Sequence, residues 1–248
     1  RIRPCMSCNQ ACAGLVFKGI PGGCVLNPSA GREAELPQPV ATTQPKKVAV
    51  IGGGPAGMEA ARVAAARGHR VVLWEEQDRL GGQMRLAAGA PHRDEMRGAL
   101  EWWESELRRW QVEIKLGTRV KSSENLDADE VIWALGAEPG NTAIWRLRPW
   151  LREGIPGGSD LPFGREILEG KRSVRGNILI IDEESGWSAL SLAETLVGQA
   201  EITKVTVATT EGVWGAADLT FTRELAHVST RIKSVGIEVI CDVVVEEI

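Results

Sequence analysis

The sequence predicts an α/β fold: two Rossmann-like, parallel-sheet units behind a cysteine-rich N-terminal segment. Two strand–turn–helix–strand patterns carry that expectation, one starting at Lys47 and one at Asn177. Their strands are short continuous apolar runs, the pattern of parallel strands covered on both faces. Composition agrees. Of 248 residues, 43% are hydrophobic and 25% charged, ordinary for a globular chain of one or two domains. The net charge of -4 argues against a nucleic-acid binder, which is normally basic. No apolar run approaches the ~18 residues of a membrane-spanning helix, and no secretory signal precedes the cysteines. The expected setting is a reducing cytoplasm, with no membrane partner. There, clustered thiols serve metal binding more than disulfides.

The N-terminal segment comes first. Cys5, Cys8, Cys12 and Cys24 fall within twenty residues, spaced C-x2-C-x3-C-x11-C. A thiolate quartet this dense points to a metal centre, either tetrahedral zinc or a cubic 4Fe-4S cluster. Zinc sites usually pair two C-x2-C knuckles a dozen or more residues apart. Three cysteines in one hook with a fourth from a distance suit a cube, whose iron corners take thiolates from several directions. Disulfides and buried small hydrophobes are the weaker alternatives. Gly19, Pro21, Gly22 and Gly23 bend the chain between the third and fourth cysteines. Pro37, Pro39 and Pro45 mark an extended connector. Residues 1–45 therefore read as cluster segment and linker. The fifth cysteine, Cys241, sits in an apolar strand pattern and reads as a buried free thiol.

The first βαβ unit follows. Lys47–Ile51 is the strand, and Gly52, Gly54 and Gly57 match G-x-G-x-x-G through Gly52-Gly53-Gly54-Pro55-Ala56-Gly57. An Ala-rich helix covers Met58 to Arg67, stopped by Gly68, and Arg70–Trp74 is the second strand. Gly52 allows the tight turn, Gly54 lets the backbone approach a pyrophosphate, and Gly57 permits close helix–sheet contact. The pyrophosphate would lie on the exposed N–H groups of the helix N-terminus. Glu75 ends the second strand 18 residues after Gly57, near the ~20 at which a carboxylate meets ribose hydroxyls. Strand, helix and acid together make the glycine motif specific. Glu95 to Trp110 reads as a helix whose Leu100, Trp103 and Leu107 serve the core, and Gln111–Leu116 as a strand.

Arg3-Pro4-Cys5-x-x-Cys8-Asn9-Gln10, then Cys12, then Cys24-x-x-Asn27-Pro28 with Glu33, resembles the iron-sulfur segment of the trimethylamine dehydrogenase / 2,4-dienoyl-CoA reductase family. The resemblance covers essentially the whole chain. It implies an FMN-bearing (β/α)8 barrel ahead of this stretch, absent here. It also implies that the first nucleotide domain, residues 46–144, binds FAD or ADP and resumes after the second, residues 145–248. Both domains would then be truncated. In similar flavoproteins Glu75-x4-Leu80-Gly81-Gly82-Gln83 belongs to the FAD or ADP site, and Gly117-Thr118-Arg119-Val120 touches the adenine end. Val131 to Pro139 resembles the family's strand ending in Ala-Thr-Gly-x-x-Pro, with Leu135 replacing the Thr. The expected cofactor-binding set is Gly52, Gly54, Pro55, Ala56, Gly57, Glu75, Glu76, Gly82, Gln83, Val120, Ala134 and Gly136.

Ile155 to Gly170 resembles the crossing between the two nucleotide domains. The second βαβ unit then runs Asn177–Ile181 as strand, Ser188 to Val197 as helix and Lys204–Ala208 as strand, with a last strand over Gly236–Val245. Its turn reads Asp182-Glu183-Glu184-Ser185-Gly186-Trp187, with Asp182, Glu184 and Trp187 at the three glycine positions. Acidic side chains there satisfy the helix N-terminus themselves and repel a dinucleotide. NAD(P)H binding by this unit is therefore disfavoured. His69, His92 and His227 are scattered and form no catalytic set; no general acid, base or nucleophile is expected.

The resemblance allows two enzymes. In one, similar to trimethylamine dehydrogenase, electrons leave FMN through the cluster for a protein acceptor such as an electron-transfer flavoprotein. In the other, similar to the dienoyl-CoA reductase, NAD(P)H feeds electrons toward an activated alkene. A non-catalytic metal-bearing interaction module is the alternative of another class. The full-length parent is expected to be a homo-oligomer.

Overall fold

The computed structural model describes residues 2–138, 155–158 and 160–248. The expected domain boundary at 144/145 and Pro139 lie outside the described residues. The chain divides into two compact units. The first is Arg1–Cys8, Gly23–Gly89 and Arg93–Ala137; the second is Asn9–Gly22, Ala90–His92 and Glu138–Ile248. The first helix, α1 (Ala13–Phe17), thus belongs to the second unit.

In the first unit, β1 (Lys47–Ile51), β2 (Arg70–Trp74), β3 (Glu113–Lys115) and β4 (Glu130–Trp133) form a parallel sheet in the order β3-β2-β1-β4. Val50 pairs with Leu73 on one side and Ile132 on the other. β1 is central, which is why its run is apolar on both faces. Helix α2 (Pro55–Ala66) begins earlier than the Ala-rich pattern suggested. Pro55 occupies its first position, where the missing N–H costs nothing and φ is already helical. Gly68, at φ 89, turns the chain out of the helix. Helices α3 (Gln83–Gly89) and α4 (Glu95–Arg109) complete the unit, and α3 was not foreseen. Met58, Ala61, Leu73, Trp102, Trp103 and Leu107 meet in the core. Each large side chain buried there contributes about 1.5–3 kcal/mol, far more than helix propensity does.

In the second unit, α5 (Gly164–Leu168) precedes β5 (Gly176–Asp182), α6 (Trp187–Val197), β6 (Ile202–Thr209), α7 (Ala216–Thr222), α8 (Leu225–Ser234) and β7 (Glu238–Ile240). The three strands pair in parallel in chain order. Leu190, Leu196, Val205, Val207, Leu219 and Ile232 form its core. Asn9 Nδ2 donates to the Thr222 carbonyl at 3.2 Å, and Lys18 Nζ lies 4.6 Å from the Phe221 ring centre, which pins the α1 segment to α7.

Two strands are shorter than their apolar runs. Gln111–Leu116 contributes only Glu113–Lys115, because Gln111 at φ 55 and Gly117 at φ 64 turn the chain at both ends. Gly236–Val245 contributes only Glu238–Ile240. Asp242 turns at φ 56, and its N–H and that of Val243 bond to Glu211 O and Thr209 O instead of continuing the ladder. Cys241 therefore lies just past the strand and is half-buried, not buried as its apolar neighbours suggested. Among the described residues no helix is long and apolar enough to cross a membrane.

Candidate functional site

The glycine loop sits at the carboxyl end of β1, between the ends of β2 and β4. Gly52 has φ 106, a conformation L side chains avoid, and a Cβ there would strike Ala134 O at 2.2 Å. At Gly57 a Cβ would lie 1.8 Å from Gly52 O, so the helix start is pressed against the turn. Gly54 is different. It is the N-cap of α2, its φ of -72 is ordinary, and nothing lies within 4 Å of a Cβ built on it. The loop is thus closed toward the protein at Gly52 and Gly57 and open at Gly54, beside the unpaired N–H groups of the helix N-terminus.

Two further motifs converge here. Gly81 N–H donates to Gly53 O at 2.8 Å, and a Cβ on Gly82 would stand 3.1 Å from Gly54 Cα. Gln83 Nε2 donates to Ala137 O at 2.9 Å, which ties the same turn to the segment after β4 that holds Ala134 and Gly136. Pro55 and exposed Ala56 open α2 beside them. Glu75 is buried. Its carboxylate accepts Gly53 N–H at 2.6 Å and Gln77 N–H at 2.8 Å. It therefore braces the glycine loop, a role that its spacing from Gly57 did not reveal. Each oxygen keeps a lone pair for a further donor. Glu76 is exposed, 3.5 Å from Arg119 Nε. Thr118 N–H bonds Glu75 O at 2.9 Å, which brings the stretch leading to half-buried Val120 to the end of β2. Leu135, in the place of the usual Thr, is exposed.

Cys5 and Cys12 are exposed, and Cys8 and Cys24 are half-buried. Cys5, Cys8 and Cys24 belong to the first unit and Cys12 to the second. Cys5 Sγ accepts Ser7 N–H at 3.3 Å. Met6 and Cys24 pack on the first unit's core. Among the described residues, no three His, Cys, Asp or Glu side chains converge where one metal ion could be held. A cube takes its four thiolates on four separate irons, so they must surround a common centre without meeting at one ion. The donor set fits that group by its chemistry, four sulfurs that are exposed or half-buried.

The second unit's turn is filled from within. Asp182 is buried, and its carboxylate accepts Glu184 N–H at 3.1 Å, Ser185 N–H at 3.0 Å and Trp214 Nε1–H at 2.6 Å. Ser185 Oγ accepts Gly215 N–H at 2.8 Å. The cavity at this turn, walled by Trp187, Leu190, Trp214, Leu219 and Val228, measures about 10 Å³. A ligand pocket takes roughly 300–1,000 Å³. One expectation changes: Asp182 caps the turn, while α6, whose N-cap is Gly186, has no side-chain cap. The acid beside that N-cap is Asp218, whose Oδ2 would meet a Cβ on Gly186 at 3.4 Å. No spacing rule marks Trp214 or Asp218, since both reach the turn from a separate part of the chain.

Burial pushes the Asp182 carboxyl above 3.8, opposed by the Trp214 and backbone donors, and the nearby Glu184 charge pushes the same way as burial. A raised native value means the folded state holds this proton more tightly than the unfolded chain. Its contribution is then complete below about pH 3.8 and declines as pH rises through the native value. Replacing Asp182 by Ala leaves the Trp214, Glu184 and Ser185 donors without their acceptor. A loss of roughly 1–3 kcal/mol is expected, read as a lower urea midpoint at pH 7. An unchanged midpoint would show that the turn does not depend on this carboxylate. Of the histidines, His69 Nδ1 accepts Lys46 N–H at 3.1 Å, His92 occupies a turn at φ 62, and His227 lies in α8.

Residues 47–127 match the family model described as FAD dependent oxidoreductase. The chain is 37% identical over 210 residues to N,N-dimethylglycine/sarcosine dehydrogenase of Chromohalobacter salexigens, covering 83% of this chain and 30% of that protein. It is 37% identical over 185 residues to cinnamate reductase of Clostridium sporogenes, covering 73% of this chain and 26% of that one. Its fold superposes on 6-hydroxypseudooxynicotine amine oxidase from Pseudomonas geniculata N1 with a TM-score of 0.87 and 29% identity, covering 98% of this chain and 37% of that structure. The chain thus spans about a third of the length of these proteins.

Proposed function

The chain belongs to the trimethylamine dehydrogenase and old-yellow-enzyme-like flavoprotein family, and from that premise we propose that it is the electron-transfer portion of an amine-dehydrogenase-like oxidoreductase. In this proposal the first unit holds FAD or ADP on the loop Gly52–Gly57, with Glu75, Glu76, Gly82, Gln83, Val120, Ala134 and Gly136 around it. Cys5, Cys8, Cys12 and Cys24 hold a 4Fe-4S cluster. A bound cluster would supply one-electron relay between an FMN in a barrel domain of the parent and an external protein acceptor. The chain's own residues do the positioning. The α2 N-terminus and the open face at Gly54 receive the pyrophosphate, and Glu75 fixes the loop while keeping lone pairs for ribose hydroxyls. A cysteine-held metal centre suits a reducing compartment such as the cytoplasm.

One contrast supports this reading best. The first turn is open at Gly54, whereas the second is occupied by Asp182, Trp214 and Asp218. A dinucleotide meets open backbone N–H groups in the first unit and buried carboxylate in the second. NAD(P)H is therefore not expected as the reductant. A second reading, an NAD(P)H-dependent enoate reductase, draws on the similarity to cinnamate reductase, which is as strong in identity as that to the dimethylglycine dehydrogenase. An anaerobic titration of the full-length parent with NADPH and with NADH separates the two. Flavin and cluster absorbance should stay unchanged with either and bleach with dithionite. Bleaching by a stoichiometric dose of either nucleotide would transfer the assignment to the reductase. Zinc in place of iron and acid-labile sulfide would point instead to an interaction module.

A further inference from the structure

We propose that Arg3 is a positioning residue that clamps both ends of the cysteine segment to the first unit; this rests on the cluster assignment above. Arg3 stands two residues before Cys5. One of its guanidinium nitrogens, Nη1, donates to the carbonyl of Leu26, two residues after Cys24. The other, Nη2, donates to Glu59 Oε1 on α2 at 3.1 Å. The guanidinium also lies over the Trp102 ring, with Cζ 4.2 Å from its centre. One planar group thus joins the chain before Cys5, the chain after Cys24, and helices α2 and α4.

The surroundings are built to hold it. Glu59 accepts two further bonds from Arg62, at 2.7 and 2.9 Å, and one from Trp103 Nε1 at 2.8 Å. The Arg3 and Glu59 side chains are only 15% and 20% exposed, so water screens their attraction little. Burial pushes the Glu59 carboxyl up, but the Arg62 and Trp103 hydrogen bonds and the Arg62 and Arg3 charges outweigh it and keep the group low. Pro4 approaches α4 beside Gly98, where a Cβ would be 4.0 Å from Pro4 Cγ. Gly98 and Trp102 are four residues apart and share a helix face, so α4 offers a notch for Pro4 and a plate for Arg3. Leu26 is buried in the same core. Cys5 and Cys24 consequently each stand two residues from a fixed point of one unit.

Lysine cannot replace this group. Its ammonium is a point charge without a fork, so it can serve Glu59 but not Leu26 and the ring together. The test uses the full-length parent and follows iron release to a ferrous chelator, with nucleotide content and thermal unfolding as controls. Arg3→Gln should release iron roughly ten times faster, the scale of losing a group that orients metal ligands. Arg3→Lys should fall between it and wild type, with nucleotide content and unfolding temperature held in both. Release at the wild-type rate in Arg3→Gln would overturn the clamp. So would nucleotide loss in parallel with iron, which would mark general unfolding. A wild-type parent without iron and sulfide would defeat the cluster assignment itself, and the clamp with it.

Discussion

Replacing Gly54 with Asp is expected to strip the first unit of its nucleotide while its sheet and helices stay folded. The fold tolerates the change for two reasons. Nothing lies within 4 Å of a Cβ at this position, and its φ of -72 and ψ of 179 suit any residue. Gly54 is also the N-cap of α2, where Asp is a favoured residue that can accept a backbone N–H. The same carboxylate stands where a pyrophosphate would lie. Two like charges ~4 Å apart near a protein surface repel by about 4 kcal/mol, close to a thousandfold in affinity. The check is flavin or adenine nucleotide content of the purified full-length parent beside its far-ultraviolet circular dichroism. Full nucleotide content in Gly54→Asp would remove this loop from the binding site. Gly57→Ala is the contrasting variant: its Cβ would lie 1.8 Å from Gly52 O, so it should damage folding and binding together.

The second large effect is expected at Cys8. Cys8→Ala removes one of four thiolates from the proposed cluster, and Ala offers no ligand in its place. Iron and acid-labile sulfide should fall to a small fraction of the wild-type content, and electron transfer through the proposed cluster should stop. Nucleotide on the first unit should remain, because Glu75 and Gly81 hold the glycine loop. Cys241→Ala is the internal control. Cys241 lies just past β7 in the second unit, outside the quartet, and its loss should leave iron unchanged. Iron retained at wild-type level in Cys8→Ala would contradict the ligand assignment. A parallel fall in Cys241→Ala would mean that thiol loss acts through stability instead.

Much of this molecule is legible in one dimension. The strand at Lys47–Ile51 and the strand at Arg70–Trp74 appear with the bounds their apolar runs indicated. Burial on both faces of a central parallel strand leaves no room for polar residues, so the run and the strand coincide. Gly52 and Gly57 likewise reveal themselves by their motif, since the positive φ at one and the missing Cβ at the other are demands no other residue meets. Edges are less legible. At Glu238–Ile240 the apolar run continues beyond the strand, because backbone bonds to Thr209 and Glu211 compete with the ladder.

The sequence by itself determined the α/β class, the two βαβ patterns, the glycine loop, the family and the cysteine spacing, all of which rest on local pattern. Tertiary structure alone decided which turn is open. Asp182 looked from sequence like a cap for the following helix, but Trp214, 32 residues away, draws it inward, and Asp218 takes the place beside the helix N-terminus. It also decided that Glu75 braces the loop through Gly53 and that Arg3 joins Leu26, Glu59 and Trp102. The physical reason is common to all three. A buried charge must find donors or counter-charges wherever the folded chain supplies them, and those partners lie 22, 32 and 56 residues away, beyond the reach of any local pattern.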